Sequence, residues 1–458
     1  MTDAWHEMTA LALGRGIAAG RIDPKALAEH FLDRIEAVDG DHRVYLRTMR
    51  ERALAEAGAA RARARAGLRR GPLDGVPLSW KDLFDSAGVA TTAGSPIFAE
   101  RVPTRDSVVL ARASRAGMVA LGKTNLTEFA FSALGINPHY GTPANPFDTA
   151  VARCPGGSSS GAAVSVARGL AAAAIGSDTG GSVRIPAAWN GLVGLKTTAG
   201  RLPLAGVMPL APSLDTVGPL TRDVADANAV FAVLAAAPAA DLAGATLRGA
   251  RLLVAEDLVW DGAAPGVTAA ARSAIERLAS AGATVERIAV PEFAAALALT
   301  KEHGPLVSVE ACGEWYELVE ANPDKVYHNV RRRFLMGAEA RADRIERLRH
   351  GLAALGRDLH ARIAGADALI APTVAISPPP IAALMADDDA YFAANMAALR
   401  NTTLGNLLRV CAVSLPCGDD GAGLPVGLML MGRPFTEAAL LRIAAAAEAV
   451  LGPGPRPA

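Results

Sequence analysis

Residues 155–190 read PGGSSSGAAVSVARGLAAAAIGSDTGGSVRIPAAWN, and this stretch decides the fold and the site. Its glycine-rich turns enclose a small-residue helix and an apolar strand, which predicts tight loops around a site rather than a linker. In the turn 179–182, Thr-Gly-Gly-Ser, backbone N–H groups can curl inward beside a serine hydroxyl. Such a nest suits the oxyanion of acyl transfer, and an ordinary turn is the alternative interpretation. Asp178 and Arg184 flank the turn, and their opposite charges predict a structural brace.

A lysine outside this stretch is the candidate base. A serine hydroxyl is a poor nucleophile without a base, and residues 155–190 contain no histidine. Lys81 follows the apolar residues 77–80 and precedes Asp82, so we expect its side chain to point into the fold. Burial lowers the pKa of a lysine and makes the neutral amine a base. An ordinary surface pair of Lys81 with Asp82 is the alternative.

Two shorter motifs compete with this interpretation. Residues 117–124, GMVALGKT, match the phosphate-loop pattern, but a helical pattern precedes them and the would-be loop is apolar. Residues 157–161, GSSSG, match a nucleophile elbow centred on Ser159, but Cys-Pro-Gly is a poor strand end before it. The later histidines lie in charged, helical-looking stretches. Both motifs are therefore disfavoured.

Four segments together resemble the amidase signature family, the Ser–cis-Ser–Lys amide hydrolases. They are residues 75–82 (GVPLSWKD), 122–129 (GKTNLTEF), 156–161 (GGSSSG) and 177–187 (SDTGGSVRIPA). Residues 214–219, 371–373 and 415–418 resemble later landmarks of the family, so the resemblance extends over roughly residues 20–450. It assigns residues 122–129 to the family pattern instead of a phosphate loop.

The resemblance implies a role for each matching residue. Ser182 would be the nucleophile, Ser158 the bridging serine in a cis peptide, and Lys81 the base. Register is open within the serine run, since Ser159 or Ser160 could be taken for the bridge. The oxyanion would be held by backbone N–H groups, those of Thr179, Gly180, Gly181 and Ser182. The acyl pocket would be lined by Phe131, Ser132 and Ala133.

The family fold implied is a single α/β domain over residues 1–458, a central twisted mixed β-sheet covered by helices. Residues 250–290 alone predict a strand, a helix and a strand, which is typical of an α/β sheet. We expect an N-terminal helical segment at about 1–70, the signature core at about 71–220 and a helical cover at about 305–365.

The implied activity is hydrolysis of the C–N bond of a linear small-molecule carboxamide, with no metal or organic cofactor. The alternative is a subunit that needs partner proteins for glutamine-dependent amidation. That subunit's pattern favours Gln where Ile185 stands, which argues against the alternative. By the same resemblance, residues 385–417 lie near the substrate entrance.

Composition excludes several other classes. Of the 458 residues, 51% are hydrophobic, and 46 basic residues balance 46 acidic ones, which argues against a disordered chain or a nucleic-acid binder. Four cysteines without C-x-x-C spacing predict neither a disulfide scaffold nor a zinc site. No apolar run is long enough to span a membrane, so we expect a cytoplasmic protein whose partner is a small-molecule amide. A homodimer is compatible with the sequence.

Overall fold

A computed structural model describes residues 4–457, and its frame is one mixed sheet of eleven strands. The strands are β1 (Tyr45–Thr48), β2 (Pro77–Lys81), β3 (Val119–Thr124), β4 (Ala173–Ser177), β5 (Val193–Lys196), β6 (Val217–Thr221), β7 (Arg251–Ala255), β8 (Thr284–Ile288), β9 (Ala368–Pro372), β10 (Cys411–Asp419) and β11 (Pro425–Gly432). Their spatial order is β1-β3-β2-β4-β6-β5-β10-β11-β9-β7-β8. Parallel pairs (β3 with β2, β2 with β4, β9 with β7, β7 with β8) flank a central antiparallel region.

Fifteen α-helices in the same part of the chain accompany this sheet. They are α1 (Ala10–Ala18), α2 (Pro24–Val38), α3 (Arg50–Arg65), α4 (Val108–Arg115), α5 (Ser160–Ala167), α6 (Arg184–Trp189), α7 (Val224–Ala235), α8 (Pro265–Ser280), α9 (Pro291–His303), α10 (Leu306–Glu320), α11 (His328–Ala338), α12 (Ala342–Arg362), α13 (Ile381–Ala386), α14 (Asp388–Leu407) and α15 (Glu437–Leu451). The predicted α/β class, with a mixed sheet covered by helices, is confirmed. Helices α10 to α12 occupy the region predicted as helical cover.

The interior strands are buried along their whole length, as their apolar sequences require. Every residue of β2, β3, β4, β5, β6, β9 and β11 is buried, whereas β8 at one edge is largely exposed. Small residues in β4 let α5 lie close to it: a Cβ added at Gly176 would stand 2.7 Å from the Ser159 hydroxyl oxygen. This close approach brings the serine run against the end of β4.

The N-terminal segment departs from the expectation that it is helical. Residues 45–48 form β1, which pairs antiparallel with β3 at the edge of the sheet. The Asp39 carboxylate accepts hydrogen bonds from the backbone N–H groups of Val44 and Tyr45 at 2.9 and 2.7 Å, so this side chain holds the loop between α2 and β1. Four residues are too few for a period-2 pattern to stand out between two helices.

The predicted elements around the candidate site match well. The apolar residues before Lys81 form β2, and residues 251–255 and 284–288 form the predicted parallel pair β7 and β8. Among residues 4–457, no helix is long and apolar enough to cross a membrane.

Candidate active site

Two neighbouring parallel strands, β2 and β4, position the first two polar side chains of the site. Lys81 is the last residue of β2 and Ser177 the last of β4, and the strands run in register with Trp80 opposite Ile175. Because parallel strands end at the same edge of a sheet, both side chains meet there. The Lys81 Nζ donates to Ser177 Oγ at 2.8 Å and to Ser158 Oγ at 2.7 Å.

Lys81 is fully buried, which changes its acid–base chemistry. Its side chain is 0% exposed, and no carboxylate of residues 4–457 lies within ion-pair distance of the amine. Burial therefore lowers the pKa of Lys81 from 10.5 to about 7, against the weaker opposing effect of Asp178 and Asp215. The alternative of a surface pair with Asp82 is wrong, because Asp82 pairs with the buried Lys123 at 3.1 Å and with Arg47 at 3.2 Å.

The structure separates the three consecutive serines. The Gly157–Ser158 peptide bond is cis, and the Ser158 hydroxyl faces Lys81. The Ser159 hydroxyl donates to the Ser177 carbonyl at 3.3 Å, and the Ser160 hydroxyl finds no partner among the residues described. Of the three, Ser158 is therefore the serine within reach of the amine.

Ser182 lies on the turn between β4 and α6. The chain holds the turn beside the serine run, since the Ser159 N–H donates to the Ser182 carbonyl at 3.3 Å. Ser182 is 5% exposed and lines a cavity, together with Thr179 and Gly180. A hydroxyl at the wall of a cavity is accessible to a small molecule, whereas Ser158 is fully buried.

Asp178 braces the turn, as the sequence predicts for its pairing with Arg184. Its Oδ1 accepts from the Gly181 N–H at 2.8 Å and from Arg184 Nη2 at 2.9 Å. Burial opposes ionisation, but the Arg184 guanidinium and the Asn406 amide outweigh it and hold the pKa of Asp178 below its usual range. The turn is thus fixed by a charged, fully buried network.

This network changes the expected set of oxyanion donors. The Gly181 N–H is already committed to Asp178, whereas the N–H groups of Thr179, Gly180 and Ser182 donate to no other residue in the range 4–457. The Thr179 side chain is held by Asp215, to which it donates at 2.5 Å. Three of the four expected N–H groups are therefore unengaged.

The cavity beside Ser182 has a volume of about 450 Å³. Phe131 and Ser132 line it as expected, but Ala133 does not; it is fully buried, and its N–H donates to Asn395 at 2.8 Å. Ala133 therefore contributes no surface to the cavity. The segment 385–417, expected near the entrance, contributes several lining residues, among them Phe392, Met396, Arg400 and Thr403.

Sequence reasoning missed the opposite wall of the cavity. Helices α9 to α11 supply Leu297, Leu306, Val307, Met336 and Arg333. These residues follow ordinary helical patterns, and no local motif marks them. Ser177 was also missed, although its place at the end of a strand beside β2 was a usable signal.

Both competing motifs fail on geometry. Gly122 and Lys123 lie within β3, fully buried, and Lys123 donates to Thr91 at 2.9 Å, so no phosphate-binding loop exists there. Ser159 follows a cis peptide and a loop instead of a strand, and its hydroxyl donates a hydrogen bond to a backbone carbonyl. Residues 4–457 contain no group of three or more His, Cys, Asp or Glu side chains suited to a metal ion.

The chain resembles known proteins along most of its length. The family model described as Amidase matches residues 26–441. The chain is 39% identical to 2-amino-5-chloromuconic acid deaminase of Comamonas testosteroni over 386 residues, 84% of this chain and 83% of that protein. It is 37% identical to a glutamyl-tRNA(Gln) amidotransferase subunit of Anaeromyxobacter dehalogenans, over 97% and 96% of the two chains. A crystal structure described as an amidase superposes with a TM-score of 0.87 at 31% identity, over 97% of this chain and 100% of the other.

Proposed function

Because the chain belongs to the amidase family, an enzyme family that acts on C–N bonds, we propose that it hydrolyses the carboxamide of a small molecule. In this proposal Ser182 is the nucleophile, and Ser158 and Lys81 activate it. The observation that carries the proposal is the 2.7 Å contact between a buried lysine amine and the Ser158 hydroxyl. A lysine whose pKa is about 7 is substantially neutral at neutral pH, so it can act as a base.

The proposed reaction proceeds through a covalent ester on Ser182, with each proton passed along Lys81 and Ser158. Neutral Lys81 accepts the hydroxyl proton of Ser158, Ser158 accepts that of Ser182, and the Ser182 oxygen attacks the carbonyl carbon. The tetrahedral intermediate collapses when the relay returns a proton to the leaving nitrogen, which departs as ammonia or an amine. Water then cleaves the Ser182 ester through the same relay and releases the carboxylic acid.

Charge that develops on the carbonyl oxygen needs donors already in place. The N–H groups of Thr179, Gly180 and Ser182 are the candidates, because that of Gly181 serves Asp178. The Gly180 carbonyl accepts from Thr402 Oγ1 at 2.7 Å, which fixes the plane of the peptide that follows it. The turn is thus held in place before substrate arrives.

The direct test is ammonia release from primary amides of aliphatic, aryl and dicarboxylic types. We expect release by the wild-type protein, and loss of several orders of magnitude in Ser182→Ala and Ser158→Ala. Ser160→Ala is the matched control, since it removes a neighbouring buried hydroxyl that bonds to no described residue. An acyl adduct on Ser182, detected by mass spectrometry after brief mixing, would support the covalent step. Full activity in folded Ser182→Ala would refute the mechanism.

A second function has one specific observation in its favour. Relatives named as glutamyl-tRNA(Gln) amidotransferase subunits match along nearly the whole chain at 34–37% identity. In that case the chain would hydrolyse glutamine and pass ammonia to a reaction on partner proteins. Glutaminase activity that appears only when such partners are added would favour this function over a free-standing amidase.

A further inference from the structure

One hydroxyl group of the cavity wall is held by hydrogen bonds that fix its polarity. The Ser132 hydroxyl donates to Asn395 Oδ1 at 3.0 Å, and it accepts from the Leu134 N–H at 3.2 Å. Asn395 Oδ1 also accepts from the Ala133 N–H at 2.8 Å, and a main-chain N–H can only donate, so the oxygen of this amide faces Ser132. The single proton of the Ser132 hydroxyl is therefore committed to Asn395.

The Ser132 hydroxyl can consequently offer a ligand an acceptor and not a donor. A serine hydroxyl has one donor proton and two acceptor positions, and the Leu134 N–H fills one of the two. The Tyr391 hydroxyl on α14 is near Ser132 but forms no hydrogen bond with it. Because Ser132 lines the cavity beside Ser182, the second acceptor position is available to a substrate group that carries a proton.

The same segment of chain lies against the serine that is proposed to return the proton. The Ala133 carbonyl accepts from the Gly157 N–H at 2.6 Å, and Gly157 is joined to Ser158 by the cis peptide. The Ser158 carbonyl accepts from the Thr127 N–H at 3.1 Å, and the Thr127 hydroxyl donates to the Ser132 carbonyl at 3.3 Å. Two hydrogen-bonded links therefore hold Ser132 next to Ser158 at the wall of the cavity.

We infer that the Ser132 hydroxyl accepts a hydrogen bond from the leaving nitrogen of the substrate, and that Asn395 is the positioning residue that keeps this hydroxyl an acceptor. The inference rests on the proposed amidase function, in which Ser158 returns a proton to that nitrogen. A nitrogen that donates one N–H to a fixed acceptor cannot turn freely, so its lone pair stays available to the proton of Ser158. Ser132 keeps its own proton throughout.

The inferred contact separates amides from esters. The leaving oxygen of an ester carries no proton, so it would meet the Ser132 lone pair without a hydrogen bond. A site with a buried acceptor discriminates against an analogue that lacks the matching donor, because the acceptor is then left unpaired. The intrinsic reactivities of amide and ester cancel when the amide-to-ester ratio of a variant is divided by that of the wild type.

The experiment measures kcat/KM for two matched pairs, butanamide with methyl butanoate and benzamide with methyl benzoate. In Ser132→Ala the amide-to-ester ratio should fall about 10-fold, as for a hydrogen bond to a nitrogen that gains positive charge in the transition state. Asn395→Leu should lower the ratio at least threefold, because the Ser132 proton is then free to point into the cavity. Ser165→Ala is the matched control, since its buried hydroxyl bonds to the Ser79 hydroxyl at 2.8 Å outside this cavity, and its ratio should stay within twofold of wild type.

Three outcomes would overturn the inference while leaving the amidase function intact. One is a fall of amide and ester cleavage by the same factor in Ser132→Ala, which indicates damage to the pocket and no contact with the nitrogen. Another is a ratio in Ser165→Ala that falls as far as that in Ser132→Ala. An unchanged ratio in folded Asn395→Leu would overturn the role of Asn395. The amidase function itself is tested separately by the loss of amide cleavage in Ser182→Ala.

A binding measurement covers the case in which neither amide is cleaved. The affinities of Ser182→Ala for benzamide and methyl benzoate are measured by NMR titration. The preference for benzamide should fall at least threefold when Ser132→Ala is added. Such a fall supports the acceptor site even if the proposed chemistry fails, and an unchanged preference overturns the inference.

Discussion

Replacing the buried Lys81 with methionine should abolish activity and stabilise the protein, most strongly below pH 7. The side chain is fully buried and its pKa falls from 10.5 to about 7 because burial disfavours the charged amine. In the unfolded chain the amine keeps a proton up to about pH 10.5. The unfolded state therefore binds more protons than the native state between pH 7 and 10.5, and stability rises with pH through that window. Methionine has no proton to lose and a similar length.

The magnitude follows from the difference of about 3.5 between the two pKa values. At 1.36 kcal/mol for each pKa unit, the amine costs about 5 kcal/mol of unfolding free energy at pH 6 and about 2 kcal/mol at pH 9. Methionine also removes the hydrogen bonds to Ser158 and Ser177, about 1 kcal/mol each at either pH. The net gain should be about 3 kcal/mol at pH 6 and close to zero at pH 9.

Urea unfolding of the wild type and Lys81→Met at both pH values measures this difference. Lys25→Met is the control, since the Lys25 side chain at the start of α2 is partly exposed and its pairing with Glu29 is a surface contact. The informative quantity is the change between the two pH values, because the lost hydrogen bonds cancel in it. A gain that is equal at pH 6 and pH 9, or larger at pH 9, would refute a depressed pKa for Lys81 and with it the proposed base.

Three further outcomes follow from the same site. The kcat/KM of the wild type should rise about tenfold per pH unit up to about pH 7 and then level off, because Lys81 must be neutral to act as a base. A kcat/KM that is independent of pH from pH 5 upward would contradict this. Gly181→Ala should reduce turnover at least 100-fold in a protein that still folds. The backbone of Gly181 has a φ of 138°, and an added Cβ would clash with Thr402 Oγ1. Steady-state kinetics measures the loss, and circular dichroism checks the fold. Asp178→Asn should cost about 3–5 kcal/mol of stability by leaving the Arg184 charge buried and unpaired. Thermal unfolding measures that loss, and a change below 1 kcal/mol would contradict the bracing role.

The interior of the fold was predictable because a strand that is buried on both faces has a continuous apolar sequence. Apolar runs bounded by glycine and proline identified β2 and β3, and alternation of strand and helix identified β7 and β8. The edge strand β1 was not predictable from a sequence pattern. It begins where the backbone N–H of Tyr45 donates to the Asp39 carboxylate, a contact that no periodicity in the sequence marks. A contact of this kind depends on tertiary structure and has no period.

The site divides in the same way. Lys81, Ser158 and Ser182 stand in contiguous motifs, so the sequence could nominate them. The commitment of the Gly181 N–H to Asp178 was not predictable, because it depends on which way a carboxylate turns between two nearby donors. The far wall of the cavity comes from helices more than 100 residues later, where spacing follows packing rather than chemistry.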